Sequence, residues 1–169
     1  GEVIGEGELL LIDLWGRTGP DRVFADQTWM GVLGTEPPGR SREIWEVVRE
    51  SRDVGVRLLE ERHAAGAPIR GFEVDAACRA VIAEAGFGGF FVHRTGHSMD
   101  LKLHGSGPNL DDLETRDDRL LVPGVGFSVE PGIYIPGEVG VRSEINVHFG
   151  ANGPEVTPRN PQDELILVA

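Results

Sequence analysis

The chain has 169 residues, 28 of them acidic against 16 basic, for a formal net charge of −12 and a pI near 4.8. That balance repels phosphate backbones and anionic headgroups, which excludes nucleic acid and membrane surfaces as partners; no apolar run is long enough to span a bilayer. A single cysteine, Cys78, excludes an internal disulfide framework and fits a cytoplasmic setting, as does the lack of a basic-then-apolar leader.

In chain order, "GELLLIDLW" (7–15) is an apolar run of strand length and "RVFADQTWMGV" (22–32) alternates. The turn formers "GRTGPD" between them make the pair a predicted hairpin. "PPG" (37–39) breaks the chain, and Ser41 is the expected N-cap of a helix. Its apolar stripe of Ile44, Val47, Val48, Val54 and Leu58 runs to Gly66 and Pro68, with Trp45 in the core. A second helix over 72–85 puts Val74, Cys78, Val81 and Ala85 on one face and is capped by Gly86. Beyond it "GFFVH" (89–93), "GFSVEPGIYI" (126–135), "GEVGVRSEINVHF" (138–149) and "DELILVA" (163–169) read as strands, and 105–124 as loop. Strands, two helices, then strands give an α+β fold in one domain spanning 1–169.

Three of the five histidines, His93, His97 and His104, lie within "HRTGHSMDLKLH". Gly96 and the alternation of Met99, Leu101 and Leu103 argue for strand over helix. That places His93 at a strand end, His97 after a glycine bend and His104 on the polar face of the next strand. Four carboxylates interrupt apolar strands: Asp13, Asp26, Glu130 and Glu144. An ionised carboxylate buried alone costs several kcal/mol, on the order of what unpaired polar burial generally costs, or it goes neutral. Singly, each has a plainer reading, as a hydrogen-bonded structural Asp, a turn Glu before Pro-Gly, or a Glu144–Arg142 ion pair. Jointly, the set answers to two divalent cations. Hard oxygen donors with one imidazole suit Mn²⁺ or Co²⁺, with Zn²⁺ or Fe²⁺ also served, and a water bridging two such ions becomes a nucleophile.

The order of these motifs resembles the catalytic "pita-bread" domain of the M24 metallopeptidases, on the side of prolidases and Xaa-Pro aminopeptidases. The matching residues are Asp13 in "LIDLW", Asp26 in "ADQT", His97 in "HRTGH", Glu130 in "EPG" and Glu144 in "GVRSE", with the preceding helix at 71–87. The resemblance implies a curved, mostly antiparallel sheet with two helices on its outer face. It implies two divalent ions held by Asp13, Asp26, His97, Glu130 and Glu144, with Glu130 also the general base. It makes His93 and His104 catalytic and substrate-contacting, and Arg142 substrate-binding. The substrate would be a short peptide cut at an Xaa-Pro bond. The alternatives are a small-molecule C–N hydrolase of the same fold and a non-catalytic peptide-binding module. An upstream domain and first helices would be missing, and the full-length protein would be a homodimer. Against the pattern, Trp29, Ser98 and Gly105 replace the family's Arg, Gly and Glu, and the two Asp stand thirteen positions apart, two more than the pattern.

Overall fold

The computed structural model describes residues 3–169. In chain order its elements are β1 (Leu9–Gly16), β2 (Ala25–Leu33), α1 (Gly39–Ala64), α2 (Gly71–Glu84), β3 (Ser98–Met99), β4 (Val125–Val129), β5 (Gly132–Ile135), β6 (Val139–Arg142), β7 (Ile145–Gly150), β8 (Gly153–Thr157) and β9 (Ile166–Val168). β1 and β2 form the expected antiparallel hairpin, registered from Leu9↔Val32 to Gly16↔Ala25. β9 joins β2 in parallel, so β2 is the central strand of the three and β1 an edge. β3, β4, β7 and β8 make a second, antiparallel sheet, and β5 and β6 a separate hairpin.

The helices fall where the periodicity puts them, with local differences. α1 begins two residues before Ser41, which lies buried inside it and makes no cap; Pro38 takes the N-cap position instead. α2 opens with the Glu73 carboxylate accepting the Arg70 backbone N–H at 2.9 Å, so a capping interaction fixes its start. It closes at Ala85, after which Gly86 turns the chain at φ +87°. Both helices pack on the strands. Leu59, Val74 and Cys78 meet Phe127, Val129 and Ile145 in one core cluster. Ile44, Trp45, Val48 and Ile82 meet Met30, Ile133 and Val141 in the other.

Two strand expectations are corrected, and one strand was missed. "GFFVH" is no strand: Gly88–Phe90 is a turn of 3-10 helix and His93 lies in irregular chain. Here side chains replace a ladder. Arg79 donates to the Phe91 carbonyl at 3.0 Å and to the His93 carbonyl, and buried Asp75 accepts the Thr95 N–H at 2.8 Å. The strand expected to carry His104 stops at Met99. Asp100 folds the chain into a loop, its carboxylate accepting the N–H groups of Lys102 at 2.7 Å and Ser106 at 3.1 Å, a local bonding pattern that competes with sheet pairing. Finally, β8 was not foreseen. Its Gly and Pro hide a strand that antiparallel pairing with β7 supplies.

Candidate metal centre

Asp26 comes from the central strand β2, His97 from the residue before β3, Glu130 from the residue after β4, and Glu144 from the break between β6 and β7. Side chains splice these elements where the ladders end. Asn146 on β7 accepts the Asp26 N–H at 3.0 Å and donates its amide to the Asp26 carbonyl. Ser128 on β4 takes the His97 N–H on its hydroxyl at 2.9 Å, and its own N–H bonds the His97 carbonyl at 2.9 Å. That approach needs glycine at position 96, where a Cβ would stand 1.9 Å from the Ser128 carbonyl oxygen.

Ligand atoms of Asp26, His97 and Glu144, all three buried, lie within 4.8 Å of one another. His97 Nδ1 faces the Ser98 carbonyl at 3.1 Å, which leaves Nε2 to face the carboxylates, 3.3 Å from Asp26 and 3.6 Å from Glu130. The Thr28 hydroxyl donates to Glu144 at 2.7 Å and accepts from Arg142 Nε at 2.8 Å. Ser128 donates to Glu130 at 3.0 Å. His93 Nε2 meets the Tyr134 hydroxyl at 2.8 Å, and the His104 ring sits 4.2 Å from that of His97, centroid to centroid.

The charges are crowded enough to move protons. Burial, with repulsion from Glu130, pushes the Glu144 carboxyl up to about 8. Burial also raises Glu130, against the pull of His97 and Arg142. For His97, burial acts downward, but the hydrogen bond to Asp26, the Ser98 carbonyl and the charge on Glu130 outweigh it, and the net shift is upward. Burial lowers His93, and burial together with His97 lowers His104, so both favour the neutral imidazole.

These residues fit a divalent cation. Two carboxylates and an imidazole nitrogen are the donor types such ions take, and Asp26 Oδ1 is a buried acceptor with no hydrogen-bond donor, which a cation would satisfy. Glu130 stands beside this group. Asp13 does not join it: its side chain is 37% exposed at the edge strand and is bound by Arg142 Nη2. The expectation of a buried Asp13 is thus corrected, because an edge strand has water on its open side. The Arg142 guanidinium bonds Asp13 and Thr28. Sequence reasoning gave no role to Ser128, Asn146 or Tyr134. Ser128 and Asn146 did leave a trace, as polar residues alternating with buried apolar ones, and Tyr134 as the chain's single tyrosine.

Fold and donor set together define a metal-binding protein whose centre is built between strands. The chain belongs to metallopeptidase family M24, whose model matches residues 1–150. It is 34% identical over 163 residues to the probable dipeptidase PepE of Mycobacterium tuberculosis, a match covering 96% of this chain and 40% of that protein. To the Xaa-Pro dipeptidase of Lactobacillus helveticus it is 37% identical over 137 residues, 81% of this chain and 34% of the other. The solved structure of an Xaa-Pro dipeptidase from Bacillus anthracis superposes with a TM-score of 0.83 at 35% identity, over 99% of this chain and 43% of that one. The α+β fold is therefore the pita-bread fold of M24 enzymes. The chain spans about two fifths of the length of such relatives. No helix among the described residues is long and apolar enough to cross a membrane.

Proposed function

We propose that this chain is the catalytic unit of a metal-dependent exopeptidase that hydrolyses short peptides at an Xaa-Pro bond in the cytoplasm. The carrying observation is the buried convergence of Asp26, His97 and Glu144, with Glu130 at 3.6 Å from the same imidazole nitrogen. Relatives named as Xaa-Pro dipeptidases support the substrate class.

In this reading Asp26, His97, Glu144 and Glu130 hold divalent metal, with Mn²⁺ or Co²⁺ the best match to the donors, and Asp13 supports a second ion. The metal supplies Lewis acidity that polarises a peptide carbonyl and activates water. The protein supplies the rest. Glu130, raised by burial, accepts and returns a proton at a carboxylate oxygen already steadied by Ser128. His104 donates a hydrogen bond to oxygen as negative charge develops on it, while His93, its Nδ1–H given to the Arg94 carbonyl, holds the Tyr134 hydroxyl beside the site through Nε2. Thr28 orients Glu144, and Arg142 holds Thr28 and Asp13 in place.

The test is metal content by mass spectrometry after loading with Mn²⁺, beside hydrolysis of Gly-Pro, Ala-Pro and Leu-Pro. Stoichiometric metal with Xaa-Pro cleavage is expected; a chain that retains no divalent ion overturns the reading. Glu130→Ala should lower turnover by at least about 100-fold, the scale of a lost general base; more than a tenth of the wild-type rate would contradict the role. His104→Ala should lower kcat and leave metal content unchanged.

A further inference from the structure

The hairpin register places one side chain beside the centre that neither motif nor mechanism uses. Asp13 pairs with Thr28 and Trp15 with Asp26. Residues directly opposite on antiparallel strands project to the same face, their Cβ atoms about 5 Å apart. Trp15 therefore rises from the face that carries Asp13, Asp26 and Thr28, next to a carboxylate of the metal cluster. Asp26 is 6% exposed, whereas Trp15 is 58% exposed. A broad apolar surface thus stands open to water at the border of a buried polar centre.

The hairpin end that carries it is also anchored. Arg17, two residues on, donates to the Leu101 carbonyl at 3.1 Å and to the Pro20 carbonyl at 3.0 Å, and the Phe24 N–H bonds the Asp100 carbonyl at 3.2 Å. These bonds dock the hairpin end against the Asp100 loop, the loop that brings His104 over His97. Leu14, equally part of β1, points from the opposite face.

We infer that Trp15 is a specificity-determining residue: it forms an open apolar wall of the substrate site and takes the side chain of the peptide's first residue. This rests on the peptidase reading above. The wall is open on one side, so it grades side chains by the apolar area they cover on the indole and does not exclude them by size. Peptides with a large apolar first residue are the preferred class.

The experiment compares KM for Gly-Pro, Ala-Pro and Leu-Pro in the metal-loaded chain. Wild type should show KM falling along the series. Trp15→Ala should raise KM for Leu-Pro by about fivefold and that for Gly-Pro far less, which flattens the series; Trp15→Phe should restore most of the preference. Leu14→Ala should leave the series as in wild type. Independently of turnover, the Trp15 indole N–H resonance, identified by its loss in Trp15→Phe, should shift on adding L-leucine. Should Trp15→Ala fail to fold, Trp15→Gln carries the same comparison. An unflattened series in the folded variant overturns this inference and leaves the peptidase reading standing; wild type that cleaves none of the three peptides overturns both.

Discussion

Asp13 and Asp26 are the same residue type on two paired strands of one hairpin, facing the same side, yet they are not equivalent. Asp26 sits on the central strand, buried, its backbone spliced to Asn146 and one carboxylate oxygen without any donor. Asp13 sits on the edge strand, partly open to water and neutralised by Arg142. What separates them is what covers the second flank: the Asn146 side chain of β7 closes over the Asp26 backbone, while the outer flank of β1 faces water. A buried carboxylate with one oxygen lacking any donor and only an imidazole beside the other has the stronger need of a cation; one with a guanidinium partner has a weaker one.

That contrast can be broken experimentally. Asp26→Asn should weaken divalent metal affinity by at least about 100-fold, measured by competition with a chelating dye, at the upper end of what altering a metal site's surroundings costs. Asp13→Asn should cost about tenfold or less by the same measurement; equal losses would dissolve the distinction. Next in size is the pH dependence of the metal-free chain. Glu144 stands at about 8 against an ordinary 4.5, so its neutral form is the one the fold favours. The associated stability is fully present below about 4.5 and is lost as pH rises through about 8. Thermal melts in chelator should thus fall over that window, and added metal, which binds the ionised carboxylate, should reverse the trend. A chelated chain with a flat profile would contradict it. Smallest is Thr28→Val, which keeps volume but strands Glu144 and Arg142 without their shared hydroxyl. It should cost about 1–2 kcal/mol by denaturant unfolding, the range for a buried partner lost; a neutral result would mean the hydroxyl merely fills space.

The parts of the molecule that local chemistry controls were legible in the sequence. The hairpin followed from turn formers between two apolar runs, and the helices from their stripes, with Trp45 and Cys78 in the core as expected. Motif order pointed to Asp26, His97 and Glu144, which the fold then brings within 4.8 Å. What the sequence hid depends on distant partners. The burial of Asp13 could not be judged, because nothing in "LLLIDLW" says whether a third strand lies alongside. The alternation after His97 suggested a strand, but Asp100 satisfies nearby N–H groups itself and curls the chain. Likewise "GFFVH" has strand-like residues, yet Arg79 on α2 bonds its Phe91 and His93 carbonyls from the side.

Arg52 lies in α1, in the first half of the chain, and is almost wholly buried. Its guanidinium bonds the Ser143 hydroxyl at 2.9 Å and the Gln162 carbonyl at 2.8 Å. Ser143 immediately precedes Glu144, while the Gln162 amide clasps both backbone groups of Met30 on β2. One helical side chain thereby anchors the stems of two elements that carry donors. A change at that remote joint would therefore reach both donors at once, though the arginine touches neither.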